Sequence, residues 1–123
     1  MKIRMEGNSV RLRLRRSEVE ELAQGKAVRG TVAFPEGLWQ YALEPAAGAS
    51  RLGARLTKLG ITVTLPEDWA LAWADSPQVG FEHNLVLETG GPLYLLIEKD
   101  FVCLDRDPSG QQDQFPNPKA GNF

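Results

Sequence analysis

The chain has 123 residues, 42% of them hydrophobic and 24% charged, with a net charge of -2. That balance suits one folded domain with its own apolar core and excludes a disordered chain. A weakly acidic protein is also a poor general binder of nucleic acid or anionic lipid, which require a positive field. No run reaches the length of a membrane span and no apolar leader follows Met1. The single cysteine, Cys103, has no disulfide partner within the chain. A cytoplasmic protein is expected.

In chain order, Lys2-Ile3-Arg4-Met5 alternates apolar and basic, Gly7-Asn8-Ser9 supplies a turn, and Val10-Arg11-Leu12-Arg13-Leu14-Arg15 alternates again. Period two predicts a hairpin over residues 2 to 14, with one apolar and one cationic face. Ser17 and Glu20 form a capping-box pattern and Gly25 a stop, which predicts a helix over about 17 to 24. Val28 to Phe34 and Leu38 to Leu43 read as strands joined by Pro35-Glu36-Gly37, and the small residues around Pro45 mark a midpoint connection.

The pattern then restarts. Arg51 to Thr57 and Ile61 to Leu65 form a second hairpin, and Pro66-Glu67-Asp68 opens a second helix on which Trp69 and Trp73 share a face. Val79 to Leu87 and Leu93 to Glu98 close with a last hairpin over Thr89-Gly90-Gly91-Pro92. Adding 51 to Val10, Leu12, Leu14 and Val28 gives Ile61, Val63, Leu65 and Val79, apolar on apolar. The expected fold is α+β, a mostly antiparallel sheet of about eight strands with two short helices, made from a duplicated ββαββ unit and curled like a barrel. A single domain over residues 1–104 holds pseudo-repeats 2–44 and 51–98, and residues 105–123 form an irregular tail docked by Phe115.

Charge is uneven along this pattern. Residues 1–30 hold eight Lys or Arg against four Glu. Lys2, Arg4, Arg11, Arg13 and Arg15 share the polar parity of adjacent strands and can offer forked hydrogen bonds to phosphate or carboxylate. The competing reading pairs them across strands with acids such as Glu44, Glu82, Glu88 and Glu98. With the cationic face turned inward, the architecture resembles the triphosphate tunnel enzymes, whose barrels hold polyphosphate between acidic and basic residues. Those enzymes open with alternating glutamates, where this chain has Lys2-Ile3-Arg4-Met5-Glu6.

His83 shares the parity of Phe81, Leu85 and Leu87, as a core histidine bonded to a carbonyl or acid would. The alternative joins it to Cys103 and to Asp100, Asp105 or Asp107 as transition-metal ligands. Walker, dinucleotide-binding, zinc-protease and Gly-x-Ser-x-Gly motifs are absent from the sequence.

Four segments carry a wider likeness: Gly7-Asn8-Ser9 with Arg11-Leu12-Arg13-Leu14, Val79-Gly80-Phe81-Glu82-His83, Glu98-Lys99-Asp100-Phe101-Val102-Cys103-Leu104, and Phe115-Pro116-Asn117-Pro118. In this order they resemble a family of small uncharacterised bacterial proteins. The resemblance implies a bacterial cytosolic protein and marks Glu82, His83, Lys99, Asp100 and Cys103 as motif positions, with no activity to transfer. The leading expectation is a non-enzymatic binding or interaction module, partnered by another protein or a second copy. Binding or hydrolysis of a small anionic ligand by the arginine stripe is the alternative, and a metal at His83, Cys103 and Asp100 comes third. No cofactor is indicated, and neither membrane nor nucleic acid is expected as a partner.

Overall fold

A computed structural model describes residues 1–102 and 111–117. Eight strands and two helices follow in the order β1 Lys2–Met5, β2 Ser9–Leu14, α1 Arg16–Ala23, β3 Val28–Phe34, β4 Gly37–Ala46, β5 Gly53–Leu56, β6 Gly60–Pro66, α2 Glu67–Trp73, β7 Gly80–Leu85 and β8 Leu93–Lys99. The fold is α+β, but the expected single curled sheet is replaced by two four-stranded sheets, ordered β1-β2-β8-β7 and β3-β4-β6-β5. No barrel closes: β1, β7, β3 and β5 remain edges.

Each sheet is mixed. Its outer pairs are antiparallel hairpins, while its central pair, β2 with β8 or β4 with β6, is parallel. Each helix carries the chain from a hairpin in one sheet to a hairpin in the other, so the two halves of the sequence contribute one hairpin to each sheet. Alternation could not reveal this, because parallel and antiparallel ladders present the same side-chain parity.

The two sheets match ladder for ladder. Leu12 lies beside Ile97 in one parallel pair and Val63 beside Leu43 in the other. A shift of 51 superposes β1-β2 on β5-β6 in register, Lys2↔Arg13 on Gly53↔Thr64. Beyond α2 that shift fails: Ile97 pairs with Phe81 and Leu43 with Val28, so Phe81, not Val79, occupies the place of Val28. The turn after α2 is two residues longer than the turn after α1, and Gln78 in it accepts a 2.9 Å hydrogen bond from the Trp73 indole.

One apolar cluster joins the sheets and helices. Val10, Leu12 and Leu14 meet Leu95 and Ile97 from the first sheet, Leu43, Val63 and Leu65 come from the second, and the helices add Val19, Leu22, Ala70 and Trp73. Phe81 stacks on Trp69 at 4.8 Å and meets Trp73 edge-on at 5.3 Å, so the two tryptophans do share a face. Tyr41 lies across Gly30, where any Cβ would stand 2.3 Å from its ring. Pro45 is tolerated in β4 because β3 has ended by Leu43, leaving that side of the strand without a ladder to donate to. Among the described residues no helix is long and apolar enough to cross a membrane.

The helix start differs from the Ser17 and Glu20 expectation. Arg15 is the N-cap residue of α1, and Glu18 reaches back to accept from the Arg15 amide at 2.8 Å. Ser17 turns instead to Asp113, which lies far along the chain. The Ser17 amide donates to Asp113 Oδ1 at 3.1 Å, its hydroxyl donates to Oδ2, and the Arg16 amide donates to the Asp113 carbonyl at 2.8 Å. The returning segment is fixed further by Phe115, whose backbone brackets Phe101 through bonds with Asp100 and Val102. A residue from outside the helix thus caps two of its free amides, Arg16 through its carbonyl and Ser17 through its carboxylate.

The Ser17 hydroxyl bond holds the Asp113 carboxyl below its ordinary value of 3.8, with help from the Ser17 amide and the charges of Arg15 and Arg16. Its contribution to stability is therefore present above pH 3.8 and lost as pH falls through the lower folded value. Replacing it, Asp113→Ala, is expected to cost about 1 kcal/mol, as loss of a cap does. Denaturant titrations across acid pH should show the wild type converging on the variant as Asp113 protonates.

Candidate functional site

The outer face of the first sheet gathers the cations. In the β1-β2 ladder Lys2 stands directly opposite Arg13 and Arg4 opposite Arg11. Together with Ile3 these four line a shallow depression of about 350 Å³. Arg15 does not join them: β2 ends at Leu14 and Arg15 turns away to begin α1. The apolar parity packs into the core, so the cations face outward and no inward-facing tunnel forms.

Acids approach this group from its rim. Arg13 Nε meets Glu98 Oε1 at 2.8 Å, Lys2 Nζ meets Asp100 Oδ2 at 3.1 Å, and Arg4 meets Glu6 at 2.8 Å. Arg11 has no carboxylate within ion-pair reach among the described residues, and its guanidinium stands 6.0 Å from the Tyr94 ring centre. The Tyr94 hydroxyl donates to Glu82 at 2.5 Å; that bond, then burial and the Glu82 charge, raises its pKa above 10.0. Of the acids expected to neutralise the stripe, only Glu98 does so. Glu82 serves Tyr94, and Glu44 lies in the other sheet between Arg29 and Arg55, at 3.6 and 3.4 Å.

Lys99 is the second site. It continues the inward parity of Leu93, Leu95 and Ile97 and is buried. Its ammonium donates to the Ser76 carbonyl at 2.6 Å and lies 4.9 Å from the Phe115 ring centre. Burial lowers its pKa from 10.5. A cavity of about 540 Å³ opens here between α1, the turn after α2 and the docked segment, with Arg16, Glu20 and Asp75 at its walls. Counting two residues per pleat from Leu93 would have identified Lys99 as inward-facing; nothing local would have identified Asp113.

The remaining positions do not converge. His83 is opposite Leu95 on the inward parity of β7, half-buried, with no hydrogen bond from its ring among the described residues. Asp100 is buried and engaged by Lys2. Cys103, Asp105 and Asp107 lie outside the described residues. Among those described, no three His, Cys, Asp or Glu side chains gather as metal ligands.

Fold and site together define a small α+β protein with two interleaved mixed sheets and a cationic outer face. The chain belongs to the family of unknown function DUF7009, which it matches over residues 1–119. No curated protein and no solved structure matches it.

Lys99 yields a prediction with a definite sign. Its folded pKa lies below the 10.5 of a free lysine, so the folded chain releases this proton first and stability rises with pH between the two values. Lys99→Met should lack that rise. Comparing unfolding midpoints of the two proteins from neutral pH toward 10.5 isolates Lys99 from the other lysines.

Proposed function

We propose that this domain is a non-enzymatic binding module that holds an anionic group, of phosphate or carboxylate type, on the β1-β2 face. The observation that carries the reading is the register of Lys2 with Arg13 and Arg4 with Arg11. Like charges set directly opposite one another on a sheet destabilise it by some tenths of a kcal/mol per pair. The fold has no need of them. In the sister hairpin, which occupies the same place in the second sheet, the positions of Lys2, Arg11 and Arg13 hold Gly53, Thr62 and Thr64; Arg4 alone has a basic counterpart, Arg55, and it faces Thr62, so no two cations stand opposite. That ladder-for-ladder match also supports duplication of one ββαββ unit, after which only one copy carries cations in facing pairs.

Guanidinium groups suit the task. Each offers a planar fork of donors to two oxygens, and the rim acids leave Arg11 the most available. Glu98, Asp100 and Glu6 hold the other cations near the depression without filling it.

Inorganic phosphate or pyrophosphate, compared with chloride at equal ionic strength, is expected to raise the melting temperature. Stabilisation would reach about 2.7 kcal/mol at a hundred times the Kd. The double variant Arg4→Thr, Arg11→Thr should lose that response while gaining a few tenths of a kcal/mol without ligand, because the facing charges are gone. A wild type indifferent to both anions would end the reading.

A further inference from the structure

The edge of β3 differs from the other three. β1 carries Lys2 and Arg4, β5 carries Arg55, and β7 carries Glu82 beside His83, the kind of charge that keeps an exposed strand from pairing with another chain. The one charge on β3, Arg29, is directed to Glu44 within the same chain, as is Arg55 of β5; what sets β3 apart is the five-residue run from Gly30 to Phe34, which carries no charge. At seven residues β3 is also the longest of the four edges. Among the described residues, no backbone group outside β4 bonds to it.

Its hairpin runs out beyond the core. Val32 is 42% exposed, Phe34 55% and Leu38 63%, and Trp39 across the ladder is only half-buried. Val32 and Phe34 lie on the same parity as the core residue Val28, so the apolar face continues past the point where the body of the protein covers it.

We propose that β3 is the seat of a symmetric dimer, in which two copies of this chain pair antiparallel about a two-fold axis at Thr31. The flanking charges choose that occupant and that register. Lys26 lies five residues before Thr31 and Glu36 five after. Both are exposed and neither has an ion-pair partner among the described residues. Pairing about Thr31 brings Lys26, in the connection before β3, toward Glu36 of the partner subunit, in the turn that ends the strand, and the symmetry repeats the approach at the other end. The same register sets Val32 opposite Gly30 of the partner subunit, where the aromatic ring lying across that glycine offers it an apolar surface. Phe34 comes opposite Val28 of the partner subunit, where the apolar core reaches the edge. The second sheet becomes a continuous eight-stranded sheet across the axis, and the cationic face of the first sheet is left open on both copies.

Sedimentation equilibrium of the full chain should give twice the 13.6 kDa monomer mass. Val32→Lys, on an exposed position, should yield a monomer with an unchanged circular dichroism spectrum. Lys26→Glu or Glu36→Lys alone places like charges together at both ends and should weaken the dimer about tenfold, while the double reversal restores it. A monomeric wild type overturns the proposal and leaves the edge to a strand of some other protein. A dimer that survives Val32→Lys, or single reversals without effect, overturns it equally. Anion binding is read separately from melting in phosphate, so either result can fail alone.

Discussion

The two parallel ladders, β2 beside β8 and β4 beside β6, hold the architecture together. A two-stranded hairpin alone is marginal in water, since it buries too little to offset the ordering of its backbone. Here every hairpin gains its third and fourth strands from the opposite half of the chain. The price is that neither half can complete a sheet without the other. Leu12 and Ile97, side by side across one parallel pair, and Val63 and Leu43 across the other are all nearly fully buried, so the seam between the halves is also the centre of the core.

That seam explains how a charged face can be held in place. Arg11 and Arg13 alternate with Leu12 and Leu14, and each outward cation is fixed by an inward neighbour that cannot shift without opening the core. A one-residue slip of β2 would turn three buried aliphatics outward, at a cost of about 2 kcal/mol each. The register that sets Lys2 against Arg13 and Arg4 against Arg11 is therefore imposed by burial on the other side of the sheet, despite the repulsion it creates. Glu98 and Asp100, at the end of the neighbouring strand, temper that repulsion from the rim.

Much of this was legible in the residues. Alternation located the strands, and proline with acidic residues located the start of α2, because those signals depend only on local geometry and burial. The cations on one face followed from the same parity. The division into two sheets did not, since nothing in Val10-Arg11-Leu12 states whether its neighbour runs parallel or antiparallel. Arg15 was misread because alternation continues in the sequence one residue past the point where the chain bends into α1. The capping of α1 by Asp113 was hidden for a different reason: a nearby Ser17 and Glu20 offered a plausible local cap, and the group that performs the task arrives from the end of the chain.

The near-equivalence of the two sheets separates what the fold requires from what it leaves free. Inward positions agree in kind between them: Leu12 with Val63, Leu14 with Leu65, Ile97 with Leu43. Outward and edge positions mostly disagree. Arg11 and Arg13 correspond to Thr62 and Thr64, and on the edge strands Glu82 of β7 corresponds to Arg29 of β3, opposite in sign. Both sheets form with either set, so packing alone does not choose between them. Glu98 and Glu44 make the point from the other side: they hold matching places and each receives arginine, yet Glu44 is bracketed by two while Glu98 draws one away from a group of four. Selection for folding acts on the shared interior, and whatever this protein recognises must be written in the outward residues by which its two sheets differ.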